Sequence, residues 1–89
     1  LYGGLGDDRL YGGWGNDRLY NSGGNDTMYG DLGNDLLVDG DGNSLMYGNE
    51  GDDTLYGGGG NDEMVGGLGD DYIDAGTGDD IVRDPDGRN

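Results

Sequence analysis

The sequence predicts an all-β parallel solenoid in which two nine-residue repeats make each turn. Three observations carry that prediction. The period of nine runs through the chain without insertion or deletion, in ten copies that begin at Gly3, Gly12, Asn21, Gly30, Asp39, Gly48, Gly57, Gly66, Ala75 and Asp84. The fourth position is Gly in every copy: Gly6, Gly15, Gly24, Gly33, Gly42, Gly51, Gly60, Gly69, Gly78 and Gly87. The eighth position is aliphatic or Met from Leu1 through Leu10, Leu19, Met28, Leu37, Met46, Leu55, Met64 and Ile73 to Val82. A short fixed period marks a repeat architecture, because one unit can bury its apolar side only against its neighbours.

The stretch Gly12-Gly13-Trp14-Gly15-Asn16-Asp17-Arg18-Leu19-Tyr20 shows the grammar most plainly, as six loop residues followed by three strand residues. Positions seven to nine alternate outside, inside, outside, as a strand requires, so the eighth side chain points into a thin core. Each loop reverses the chain and the next strand returns on the other side. Like loops therefore stack every second repeat, at the strand spacing of about 4.8 Å.

In chain order, Leu1-Tyr2 reads as the tail of an incomplete repeat, so the 89 residues are expected to be a single segment, 1–89, of a larger protein. Repeats one and two match the pattern throughout. Repeat three begins Asn21-Ser22, both residues that turns accept. Repeat four has Asp31 at its second position and the apolar strand Leu36-Leu37-Val38. Repeat five departs most: its sixth position is Ser44, while Asp39 and Asp41 stand at positions one and three. The run from Asp39 to Glu50 matches some ligand places of a helix–loop–helix calcium site, but the Gly such a loop needs at its sixth place is missing and repeats flank it instead of helices. Repeats six to eight return to pattern, and repeat nine opens with Ala75. The tenth copy carries Pro85 and ends at Asn89, where the pattern decays.

Composition narrows the chemistry. Gly at 24 residues and hydrophobics at 30% leave a thin core, so a further stabiliser is expected. The net charge is −16 with only 4 Lys and Arg, which argues against nucleic acid and anionic membrane surfaces as partners. With no Cys and no His, disulfides, thiolate or imidazole metal sites and the commonest general base are all excluded. No signal-peptide pattern and no apolar run long enough to span a membrane is read in the sequence. What remains is oxygen, from carboxylates and from the carbonyls of a Gly-rich backbone. That donor set suits hard cations, calcium above all.

The sixth position supplies the carboxylates. It is Asp in eight of the ten copies (Asp8, Asp17, Asp26, Asp35, Asp53, Asp62, Asp71 and Asp80), with Ser44 and Asn89 as exceptions. Stacking sets Asp17, Asp35, Asp53 and Asp71 in one ladder. Asp8, Asp26, Ser44, Asp62 and Asp80 form the other. Two carboxylates about 5 Å apart repel by about 0.8 kcal/mol even at the dielectric of water. A cation between them converts repulsion into ligation. Five complete Asp pairs result, with two half pairs around Ser44 and one pairing of Asp71 with Asn89. The half pairs are expected to be weaker, unless Asp39 or Asp41 reaches in from the same loop.

This repeat resembles the GGxGxDxUx nonapeptide of the RTX (repeats-in-toxin) proteins. The resemblance covers essentially the whole chain. It implies a right-handed parallel β-roll, secretion to the outside of a bacterium through a type I channel, and calcium held in the turns. It also implies that backbone carbonyls of the loops complete the shell: Gly3, Gly4, Gly6, Gly12, Gly13, Gly15, Gly30, Gly33, Gly48, Gly51, Gly57, Gly58, Gly60, Gly66, Gly67 and Gly69. On this reading the segment binds about five to eight calcium ions. It folds where calcium is millimolar and supports the secretion, folding and stability of its parent protein, which is expected to be its partner. Association of the chain end to end is expected, because open strand edges and the apolar slot beneath Leu1 and Val82 have no cap.

An enzyme is not expected: paired carboxylates that recur in every turn are structural ligands, and no nucleophile–base constellation exists. The alternative is an extracellular module for polysaccharide, ice or adhesion. It would use the ninth-position tyrosines Tyr2, Tyr11, Tyr20, Tyr29, Tyr47 and Tyr56, of which Tyr11, Tyr29 and Tyr47 should stack on one face. Cross-strand stacking alone accounts for such ladders. Trp14, at a loop position, is expected to be exposed.

Overall fold

The inward eighth-position residues build the molecule. In the computed structural model, which describes residues 1–83, Leu19, Met28, Leu37, Met46, Leu55 and Met64 have no exposed surface at all. Around them run nine strands: β1 (Arg9–Tyr11), β2 (Arg18–Tyr20), β3 (Thr27–Tyr29), β4 (Leu36–Val38), β5 (Leu45–Glu50), β6 (Thr54–Tyr56), β7 (Glu63–Leu68), β8 (Tyr72–Asp74) and β9 (Ile81–Arg83). The tenth repeat, with Pro85 and the pairing of Asp71 with Asn89, lies outside the described residues.

Odd strands form one sheet in the order β1-β3-β5-β7-β9, and even strands the other, β2-β4-β6-β8. Every pairing is parallel and joins residues eighteen apart: Arg9 with Thr27, Leu19 with Leu37, Met46 with Met64. Two repeats therefore make one turn, and the described chain completes about four turns of a parallel β-roll. A Met ladder on one sheet faces a Leu ladder on the other, with Leu10, Ile73 and Ala75 packed at the margins. Among the described residues no helix is long and apolar enough to cross a membrane.

Two strands are longer than the three residues the repeat predicts. β5 and β7 continue into the next loop, where Asn49 pairs with Gly67 and Glu50 with Leu68. Elsewhere the loops make single bridges, Leu5 with Gly23, Gly23 with Asp41, Asp41 with Gly59 and Leu32 with Glu50. The ladder thus turns the corner because the loops stack in register as well as the strands. The same continuity disposes of a helix–loop–helix site at Asp39–Glu50, since Leu45–Glu50 is strand.

Candidate metal centre

The loops bring the sixth-position residues into the two ladders that the spacing predicts. Within them one carboxylate oxygen has a fixed task. Asp26 Oδ1 accepts the Asp8 N–H at 2.8 Å, Asp35 Oδ1 that of Asp17 at 2.7 Å, and Asp53 Oδ1 that of Asp35 at 2.8 Å. Asp71, Asp62 and Asp80 continue this with the N–H groups of Asp53, Ser44 and Asp62. Each Asp therefore reaches back one coil and ties it down. The other oxygen, Oδ2 of Asp8, Asp17, Asp26, Asp35, Asp53 and Asp62, is buried with no hydrogen-bond partner. A backbone N–H therefore takes one oxygen of each Asp that has a coil before it, and Oδ2 is the oxygen left for an ion.

Burial governs the charge of these groups. It pushes Asp53, which is 1% exposed, up to about 7, against the Asp35 N–H, with the fields of Asp35, Asp71 and Asp52 adding to the rise. Asp35 and Asp62 are also raised, again mainly by burial. A buried carboxylate with one empty oxygen is costly unless a counter-charge meets it.

The first-position glycines show what surrounds the empty oxygen. A Cβ built on Gly12, Gly30, Gly48 or Gly57 would stand 3.1, 2.7, 2.5 and 2.8 Å from Oδ2 of its own repeat's Asp. The same Cβ would stand 2.7–2.8 Å from the first-position carbonyl of the next coil, that of Gly30, Gly48, Gly66 or Ala75. Two oxygens of adjacent coils thus converge on a space that a side chain would fill. At the fourth position φ lies between 95° and 123°, and a Cβ there would stand 2.0–2.3 Å from the fourth-position carbonyl oxygen of the coil before, from Gly6 to Gly60. Glycine is required there for both reasons.

Loop hydrogen bonds sort the remaining carbonyls. Those of Gly4, Gly13 and Gly58 accept from Ser22, Leu32 and Thr77 N–H. Among the described residues no loop-to-loop bond ends on a fourth-position carbonyl. Nowhere among them do three or more acidic side chains gather about one point. An ion here would therefore take one or two carboxylates and complete its shell from the backbone. That donor set, all hard oxygen and partly orphaned, fits calcium.

One ladder went unnoticed in the sequence. The fifth position is Asn or Asp in the nine described repeats, and in the first seven of them, Asp7 to Asn61, its Oδ1 accepts the fifth-position N–H one coil on, as in Asp7 from Asn25, Asn16 from Asn34 and Asn43 from Asn61. The signal was plain, since the residue type is held through nine repeats. These bonds run opposite in direction to those of the sixth position, so each loop is tied both ways.

Repeat five differs in its acids. Ser44 Oγ accepts the Asp26 N–H at 3.3 Å in place of a carboxylate. Asp39, at the first position, is 4% exposed, and neither of its oxygens forms a hydrogen bond of ordinary geometry. Burial raises it to about 6, opposed by the nearby Ser44 hydroxyl and Gly40 N–H and reinforced by the charges of Asp26 and Asp62. Asp41 is exposed, its carboxylate turned toward Gly59 at the outer edge of the loop.

Comparison with known proteins finds one family. The model of the RTX calcium-binding nonapeptide repeat, built of four copies, matches residues 1–28, 29–64 and 57–83. No curated protein and no solved structure matches the chain.

Proposed function

The chain belongs to the RTX calcium-binding nonapeptide repeat family, and on that premise we propose that calcium converts this segment from coil to roll outside the bacterial cell. It is a calcium-binding repeat domain. The observation that carries the finer reading is the row of buried Oδ2 atoms without partners on Asp8, Asp17, Asp26, Asp35, Asp53 and Asp62. With a net charge of −16 and, among the described residues, a core of six fully buried apolar side chains, the roll has little else to hold it against its own charge. Calcium supplied between coils would neutralise the stacked acids and tie each turn to the next.

In this reading the ligands are Oδ2 of the sixth-position Asp residues together with first- and fourth-position carbonyls, for five to eight ions. The segment stays unfolded at cytosolic calcium, passes through a type I secretion channel, and folds outside as part of a longer protein. Any catalysis belongs to other parts of that protein. Leu1 and Val82, the outermost members of the inward rows, are 54% and 42% exposed, which supports stacking end to end on further coils or on a second copy.

The tyrosine ladders favour the structural role over a glycan site. Tyr11, Tyr29 and Tyr47 stack at centroid distances of 4.9 and 5.2 Å with planes 6° apart. Both faces of Tyr29 are therefore covered, as is one face each of Tyr11 and Tyr47, whereas a sugar ring stacks on an open aromatic face. Equilibrium dialysis against labelled calcium tests the reading: five to eight ions per folded chain are expected, with magnesium a poor competitor because it holds its water and demands octahedral geometry. One ion or none would overturn it.

A further inference from the structure

We infer that Asp39 takes the place of the missing sixth-position carboxylate in repeat five, so that the interrupted ladder of calcium sites is complete. The inference deepens the proposed function and rests on it.

Geometry carries the argument. At first positions elsewhere, a Cβ points at the Oδ2 of the same repeat's Asp, at 2.5–2.8 Å for Gly30, Gly48 and Gly57. A side chain that starts from that position is therefore aimed at the place where the sixth-position carboxylate normally ends. In repeat five the sixth position is Ser44, which stops at Oγ and leaves that place to be filled. Asp39 starts from the first position, is as buried as the Asp residues of the ladder, and neither of its oxygens makes a hydrogen bond of ordinary geometry, with the Ser44 hydroxyl and Gly40 N–H nearby. It lies within the field of Asp26 on the coil before and Asp62 on the coil after, the two residues that Ser44 separates. Each loop of this stack thus keeps one inward carboxylate, with Asp and a small residue exchanged between positions one and six in repeat five. Asp41, the other spare acid of this loop, is exposed and turned outward.

Asn21 shows that the first position of this stack admits a side chain. It is 7% exposed, directly below Asp39 in register, and its amide oxygen lies over Gly3. Ala75 does the same two coils above. The exchange in repeat five therefore needs no rearrangement of the loop.

The test is a set of calcium titrations of the 89-residue chain, followed by circular dichroism, with Asp53→Ala as reference. If about seven sites fill together and loss of a ligand weakens a site about 10–100-fold, two damaged sites raise the folding midpoint about two- to fourfold. Asp39→Ala is expected to shift the midpoint by that much, as Asp53→Ala does. Adding Ser44→Asp to Asp39→Ala should return the midpoint to the wild-type value, a coupling that independent sites do not show. If Asp53→Ala shifts the midpoint and Asp39→Ala does not, the inference falls while the Asp ladder stands. If neither shifts and the wild type ignores calcium, both fall. Should Asp39→Ala fail to fold at any calcium concentration, folding of Asp39→Ala/Ser44→Asp at the wild-type midpoint supports the exchange, and its failure overturns it.

Discussion

A sixth-position Asp does two things at once, and its place in the ladder decides how much its loss costs. Asp53 sits between Asp35 and Asp71: its Oδ1 fixes the loop of the coil before, where the Asp35 site lies, and its Oδ2 faces an ion of its own, so its loss damages two sites. Asp8 stands at the outer end of the described ladder. Asp53→Ala is expected to raise the calcium midpoint about two- to fourfold and Asp8→Ala only about 1.4- to twofold, on the same assumption of about seven cooperating sites; calcium titration by circular dichroism compares them. Fourth-position glycines carry a different constraint. Gly33 has φ 107° and faces the Gly15 carbonyl, so Gly33→Ala combines strained backbone of about 1–3 kcal/mol with a direct clash. The variant should need more calcium than Asp8→Ala to fold, and an unchanged midpoint would contradict the packing described for that loop.

At the scale of the element, strands are short and hold together by repetition. Each contributes one inward side chain to the core, and Met46 has neighbours on both sides in its sheet and a Leu ladder opposite. Met46→Ala is expected to cost about 2–5 kcal/mol of stability in saturating calcium, against about 0.4–2 kcal/mol for Tyr29→Ala, which loses two stacked neighbours. Thermal unfolding in calcium ranks the two. The inward ladders, the parallel pairing two repeats apart and the tyrosine stacks were legible in the sequence because each depends only on residue type at a fixed period. The extension of β5 and β7 around the corner was not, because it depends on how loops without an apolar signal lie on one another. The role of Asp39 was left open for a related reason: spacing names Asp39 and Asp41 alike, and only the direction of the first-position Cβ separates them.

For the whole molecule, charge and fold are linked through the buried carboxylates. The values for Asp53, about 7, and Asp39, about 6, are raised from 3.8, so the roll without metal prefers them protonated. A raised group contributes stability that is complete below its unfolded value and is lost as the pH rises through its folded one. In EDTA, acidification from about pH 7.5 to about pH 5 should therefore increase β-structure. In calcium the sign reverses, because protons compete for the same oxygens, and the calcium midpoint should rise over that range. A metal-free chain that loses structure on mild acidification would contradict the account.

The central claim is that calcium, rather than the thin core, holds the roll together. Far-ultraviolet circular dichroism of the 89-residue chain at neutral pH, in EDTA and then in millimolar calcium, tests it most directly. The account predicts a coil spectrum in EDTA, a β spectrum in calcium, and little change when magnesium replaces calcium. A β spectrum that persists in EDTA would contradict it.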